Sequence, residues 1–150
     1  MNCFPDTSFL CALYRTQANS QIADAFMAGL GGALSVSSLL LSEFRQSVRL
    51  QIWLHSNDSD KGFARAQGHQ MLNEVQMDLN AGVLTTIPVD WSAVHQRAEA
   101  LSSAHTLAAG HRLADILHVA TALQLGAAQF LTFDAKQKQL AQAEGLLVPV

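Results

Sequence analysis

Four acidic residues stand where their types and surroundings could do chemistry: Asp6, Glu43, Asp115 and Asp134. Each lies at the end of an apolar strand-like run or on the flank of an apolar helix-like run, where a charge is ordinarily avoided. A carboxylate removed from water needs a partner that compensates its charge, and a hard cation is the simplest partner. Oxygen ligands of this kind suit Mg²⁺ or Mn²⁺, which retain waters and bind phosphate oxygens.

A cation at these acids would stabilise negative charge on a phosphodiester and lower the pKa of a bound water, giving an attacking hydroxide. Ser8 and Thr132 lie two residues from Asp6 and Asp134, where their hydroxyls can hydrogen-bond carboxylates or waters. Arg112 precedes Asp115 by three residues and is the best candidate for contacting a phosphate. The pattern therefore predicts a metal site suited to phosphodiester chemistry.

The elements that must position these residues alternate between strands and helices. Apolar runs predict strands that end at Asp6 and Asp134, and apolar periodicity predicts the helices that carry Glu43 and Asp115. Because ligands of open parallel sheets bind at the carboxyl ends of strands, both strand-end acids are expected to face one crevice. The first predicted strand ends at residue 5, and the other predicted strands span 33–36, 83–89, 129–133 and 146–150. The predicted helices span 7–14, 20–29, 38–54, 63–79, 90–108, 111–125 and 135–144.

Length and charge bound the class of protein. The 150 residues are expected to form one domain, 1–150, and 49% apolar with 14% charged residues excludes a disordered chain. The net charge is −3, but without the four acids nine basic residues face eight acidic ones. Bound divalent cations would therefore leave a near-neutral chain with a locally positive cleft, which permits a polyanionic substrate.

The apolar stretches, the N-terminal segment and the cysteines indicate where in the cell the chain is expected to act. No apolar stretch is long enough to span a membrane, and no basic segment precedes a long apolar one at the N-terminus. Cys3 and Cys11, the two cysteines, fall inside a predicted strand and a predicted helix, so they are expected to be reduced. The chain is expected to be soluble and cytoplasmic.

Four short motifs in order along the chain carry a family resemblance. They are Asp6-Thr7-Ser8, Ser42-Glu43, the segment from Asp115 to Ala122, and Leu131-Thr132-Phe133-Asp134. No single motif is specific, but the four at these spacings resemble a PIN domain along the whole chain. The similarity is greatest to the ribonuclease toxins of bacterial type II toxin–antitoxin pairs, called VapC-like.

This resemblance implies a fold, an activity and partners. The implied fold is α/β, with three layers in which a central parallel sheet of four to five strands is flanked by helices. The implied activity is endonucleolytic cleavage of RNA at an Mg²⁺ or Mn²⁺ site built by Asp6, Glu43, Asp115 and Asp134. The implied partners are a second copy of the chain, forming a homodimer, and a cognate antitoxin that lays a segment across the active site.

Each acid also has a local explanation. Asp6 and Asp134 each precede a predicted helix and could cap it, and Glu43 could be a charge on a helix flank. Asp115 could pair with Arg112 or His111. His111, Asp115 and His118 could form a transition-metal site, although histidines beside a buried acid are more often its hydrogen-bonded neighbours. One metal site explains the four acids more economically than four separate local roles.

Two other functions remain open. A phosphatase with Asp6 as covalent nucleophile, as in haloacid dehalogenase-like enzymes, needs a second Asp two residues later, where this chain has Ser8. A domain that binds RNA or protein without cleaving is the other alternative. Four clustered carboxylates argue against it, because a module facing a polyanion gains nothing from them.

Overall fold

The computed structural model describes residues 2–150, which divide into two compact units. One unit comprises the chain up to Phe9 together with Ile87–Val150, and the other is Leu10–Thr86. Each unit is built around one pair of parallel strands. The expectation that residues 1–150 form a single domain stays a prediction.

The first unit pairs the first and last strands of the chain. β1, Cys3–Pro5, runs parallel to β4, Gln129–Leu131, with Phe4 opposite Phe130, and both phenylalanines are fully buried. The Asp6 N–H continues the pairing by donating to the Leu131 carbonyl at 3.0 Å. Both strands therefore end side by side, directly before the predicted site residues. The elements of this unit are β1 Cys3–Pro5, α5 Trp91–Leu101, α6 Leu107–Ala109, α7 Leu113–Gln124, β4 Gln129–Leu131 and α8 Ala135–Ala143, with a π-helical segment Ser102–Thr106 between α5 and α6.

The second unit consists mainly of helices around another parallel pair. Its elements are α2 Ser20–Leu30, β2 Leu34–Val36, α3 Ser38–Asn57, α4 Arg65–Ala81 and β3 Leu84–Thr86, and α1, Thr7–Tyr14, crosses the boundary between the units. Leu40, Phe44 and Val48 of α3 are buried at four-residue spacing, as expected for one face of a helix. Ser37 caps α3 by accepting a hydrogen bond from the Leu40 N–H at 3.1 Å.

The α/β class and the parallel pairing are confirmed, and most of the structure is helical. Each strand has three residues, shorter than the apolar runs predicted, and the strands form two separate pairs. Near the C-terminus only Leu147 bridges to Gln129. Pro149 follows two residues later and has no N–H with which to extend that pairing.

The helix predicted from His111 begins later. α7 starts at Leu113, so His111 precedes the helix and does not share a helical stripe with Asp115 and His118. The helix predicted over 90–108 contains the π-helical segment Ser102–Thr106, and Gly110 ends it at φ 68°. No helix in residues 2–150 is long and apolar enough to cross a membrane. Cys3 and Cys11 form no disulfide bond within residues 2–150.

Candidate active site

Asp6 is the centre of the site. Its side chain is fully buried at the carboxyl end of β1. Its Oδ1 accepts hydrogen bonds from the Ser8 hydroxyl at 2.6 Å and from the Phe9 N–H at 3.0 Å. Its Oδ2 accepts one from the Thr132 hydroxyl at 2.6 Å. A helix cap requires only one such donor, so this carboxylate is held more firmly than capping demands.

The two hydroxyls that hold Asp6 are themselves fixed by backbone donors. The Ser8 oxygen accepts from the Phe133 N–H at 2.8 Å, and the Thr132 oxygen accepts from the Asp134 N–H at 3.0 Å. Each hydroxyl hydrogen is therefore directed to the carboxylate, because the backbone N–H occupies the acceptor side. The Phe9 ring stacks on Phe133 at 5.9 Å between centroids, which joins the two strand ends further.

The electrostatics of Asp6 are those of a carboxylate deprived of water. Burial raises its pKa above the ordinary value of 3.8, while the bonds from Ser8, Thr132 and Phe9 and the nearby charge of His118 lower it. No Lys or Arg of residues 2–150 forms an ion pair with Asp6. The three hydrogen bonds to this carboxylate therefore come from neutral donors.

Asp134 lies at the carboxyl end of the neighbouring strand, three residues beyond Leu131, and is half-buried. It caps α8, since its Oδ1 accepts a hydrogen bond from the Gln137 N–H at 2.9 Å. The capping role considered from the sequence is therefore present. Its Oδ2 has no hydrogen bond within the described residues and keeps capacity for a cation.

Asp115 lies in the first turn of α7 and is nearly buried, with 13% of its side chain exposed. Its Oδ2 lies 3.7 Å from the Arg112 Nε, and the Arg112 side chain is 86% exposed. The structural ion pair considered from the sequence is thus present. A pair with so exposed a partner contributes little to stability, so Arg112 can exchange it for a phosphate.

Glu43 belongs to the second unit, where it lies half-buried on α3 beside the fully buried Phe44. The other three acids belong to the first unit. Within residues 2–150 no three His, Cys, Asp or Glu side chains are gathered into a group that could hold a metal ion. The four acids as one set of ligands therefore stay a prediction.

His118 acts on the site through its charge. It is buried on α7, three residues after Asp115, and its charge lowers the pKa of Asp6. The sequence predicted a hydrogen-bonded neighbour of a buried acid, or a transition-metal ligand, at this position; its spacing from Asp115 on one helical face was the available signal. His111 is also buried, and its Nδ1 has no hydrogen-bond partner among residues 2–150.

The donor set fits a hard divalent cation in its chemistry. The candidate ligands are carboxylate oxygens with hydroxyl support, and no thiolate takes part. A carboxylate offers about four lone-pair positions, and three donors to Asp6 leave one for a cation. A cation would also compensate the buried charge that neutral hydrogen bonds compensate only in part.

Comparisons with known proteins give a family. The sequence model described as the PIN domain matches residues 3–143. A search of curated proteins found no match. This match covers nearly the whole chain and includes both strand-end acids, Asp6 and Asp134.

Solved structures give the fold. VapC20 of Mycobacterium tuberculosis, a toxin that cleaves the sarcin-ricin loop, superposes with a TM-score of 0.67 at 18% identity, with 97% of each chain covered. VapBC2 of Rickettsia felis, bound to a DNA fragment of its promoter, gives 0.68 at 14% identity and covers 99% of this chain and 97% of that one. FitAcB of Neisseria gonorrhoeae superposes with a TM-score of 0.59 at 18% identity, with 97% of this chain and 95% of that chain covered.

Proposed function

Since the chain belongs to the PIN domain family, we propose that it is a divalent-metal-dependent endoribonuclease that acts as the toxin of a toxin–antitoxin pair. The carrying observation is Asp6, a buried carboxylate without a Lys or Arg partner among residues 2–150, held by three donors at the junction of two parallel strands. Maintaining such a group costs stability, and a cation-dependent reaction is the function that explains this cost.

Asp6, Glu43, Asp115 and Asp134 are the proposed ligands, with Mg²⁺ or Mn²⁺ as the ion. When bound, the ion supplies charge stabilisation for the phosphodiester and activates water. Ser8 and Thr132 keep the Asp6 carboxylate in one orientation. Arg112, whose side chain is 86% exposed, positions an RNA phosphate or, in the inhibited complex, an acidic group of the antitoxin.

The partners follow from the same proposal. VapC20 is a toxin and VapBC2 is bound to promoter DNA, and both share the fold at low identity. We propose that this chain likewise pairs with a cognate antitoxin, forms a homodimer and acts in the cytoplasm on RNA. A small adjacent reading frame encoding a DNA-binding N-terminal segment is the expected source of the antitoxin.

The proposal is tested with purified protein and a panel of cellular RNAs. Wild type is expected to cleave RNA in the presence of Mg²⁺ or Mn²⁺, and EDTA is expected to abolish this cleavage. Asp6→Asn is expected to remain folded but to lose both RNA cleavage and growth arrest. Asp24→Asn removes the same charge from an exposed position on α2 and serves as the matched control. Undiminished cleavage by Asp6→Asn would refute the assigned site.

Two rival functions have separate readouts. A phosphatase would accumulate an aspartyl phosphate on Asp6 with small phosphomonoesters, and none is expected, because Ser8 stands where that chemistry needs a second Asp. A non-cleaving binding domain would show no thermal stabilisation by Mn²⁺, whereas the metal site predicts a clear one.

A further inference from the structure

Arg15, directly after α1, is a half-buried cation in the second unit. Its Nε is buried and makes no hydrogen bond within residues 2–150. No Asp or Glu of that range pairs with its guanidinium. A buried donor on a charged group is costly when nothing accepts from it, so an arginine in this state calls for an anionic partner.

An aromatic ring fixes the position of this guanidinium. Arg15 Cζ lies 4.9 Å from the centroid of the Phe63 ring, and Phe63 is itself buried. Phe63 is anchored to α3 by its N–H, which donates to the Gln51 carbonyl at 3.4 Å. Gly62, at φ +58°, brings the backbone so close to Gln51 that no side chain fits there. The platform beneath Arg15 is therefore pre-formed.

A cavity of about 250 Å³ opens beside Arg15 and Phe63. Gln17, Ser47 and Gln51 also line it, and no acidic side chain does. These residues offer amide and hydroxyl donors from two directions, the segment after α1 and one face of α3. A second cavity that Arg15 borders includes Glu74, whose negative charge makes it a poorer place for an anion.

We propose that the cavity defined by Arg15, Gln17, Ser47, Gln51 and Phe63, the Arg15 pocket, binds a phosphate group. A guanidinium edge gives two parallel donors to an oxyanion, and donors from several sides match a tetrahedral anion better than a planar carboxylate. Drug-sized ligands fill roughly 300–1,000 Å³, so this smaller space takes one phosphate and at most part of a sugar. The proposal does not depend on the catalytic role of the acids.

The test measures binding of inorganic phosphate to the full chain by calorimetry and by thermal stabilisation, in EDTA and at constant ionic strength. Wild type is expected to bind phosphate in preference to acetate and chloride. Arg15→Gln and Arg15→Met are expected to weaken phosphate binding at least about tenfold, because charge-assisted hydrogen bonds are lost. Ser47→Ala removes one hydroxyl without changing charge and is expected to weaken binding by a smaller factor.

Arg49→Gln is the matched control, since it removes a positive charge from an exposed position on α3. It is expected to bind phosphate as wild type does. If Arg15→Gln binds phosphate as tightly as wild type, or if acetate and chloride act equally well, the Arg15 pocket is not a phosphate site. If Arg15→Met unfolds, Ser47→Ala decides the outcome. Phosphate binding by Ser47→Ala as tight as that of wild type would then overturn the proposal.

Competition then separates the sources of the phosphate group. A nucleoside 5′-monophosphate that displaces inorganic phosphate supports a terminal monoester as ligand. A short RNA without a terminal phosphate that displaces it supports a backbone phosphodiester, and EDTA prevents its cleavage. Displacement by neither, with Arg15-dependent phosphate binding intact, supports free inorganic phosphate.

Discussion

Asp6→Asn is expected to stabilise the metal-free protein at neutral pH, because it removes a buried charge. Burying an ion costs several kcal/mol in proteins, and neutral donors offset only part of that cost. The amide cannot accept the Thr132 hydroxyl hydrogen through its nitrogen, so the change loses one hydrogen bond of about 1.5–3 kcal/mol. The net expectation is a gain of about 2 kcal/mol, or roughly 4–8 °C in Tm for a chain of this length.

The pH dependence of this difference has a definite sign. Burial raises the pKa of Asp6, so the folded chain binds its proton more tightly than the unfolded chain does. The stability that this group contributes is fully present below its ordinary pKa of 3.8 and is lost as pH rises through the raised value. The stabilisation by Asp6→Asn should therefore be near zero in acid and grow toward neutral pH.

Urea unfolding in EDTA across a pH series measures this difference, with Asp24→Asn as the exposed control. Adding Mn²⁺ should reverse the ranking, since a cation at 100 times its Kd stabilises the wild type by about 2.7 kcal/mol and leaves Asp6→Asn nearly unaffected. If Asp6→Asn destabilises the metal-free protein at every pH, the ionised carboxylate is a structural element. Burial of this carboxylate then has no cost for a bound cation to offset.

Three further changes test other contacts by equilibrium unfolding. Thr132→Val should lower the free energy of unfolding by about 1–3 kcal/mol, since it leaves Asp6 and the Asp134 N–H without the hydroxyl. Thr132→Ser keeps the hydroxyl and should retain most of that free energy, so equal losses by the two variants would show that the hydroxyl contributes no more than the methyl group. Tyr14→Phe should cost about 1–2 kcal/mol, since it removes a hydroxyl that donates to an Asp carboxylate at 2.7 Å, and no change would mean that water replaces that bond. Gly62→Ala should lower the free energy of unfolding by several kcal/mol, since a Cβ there would collide with the Gln51 backbone. Gly82 is also at positive φ but has open space around it, so Gly82→Ala should cost only about 1 kcal/mol. Equal costs would contradict the close approach of Gly62 to Gln51.

The fold class was predictable because apolar runs and helical periodicity report burial directly. α1 and β2 lie within a residue of their predicted bounds. Strand lengths were not predictable from apolar runs, since an apolar run shows burial and not pairing. The Phe133 and Asp134 N–H groups donate to the Ser8 and Thr132 hydroxyls instead of a neighbouring strand, and β4 ends two residues before the apolar run does.

Part of the candidate site was predictable for a similar reason. Asp6 and Thr132 come together because parallel strands bring their carboxyl ends to one edge, which the pattern of strands and helices implies. The involvement of the Phe9 and Phe133 N–H groups was not predictable, since backbone donors carry no residue signal. The four acids as ligands of one cation stay a prediction, because apolar periodicity does not determine in which direction the Glu43 side chain on α3 points.

The local roles of the acids and their proposed metal role do not exclude each other. Asp134 caps α8 with one oxygen only, and the Arg112 that accompanies Asp115 is almost fully exposed, so both contacts leave capacity for a cation or a phosphate. Asp6 differs from them, because its three donors exceed what capping needs and its burial has a cost that no Lys or Arg of residues 2–150 offsets. A chain selected only for stability would replace it with Asn or Ser, which cap a helix without a charge. The proposed cation would offset the cost of burying a carboxylate there.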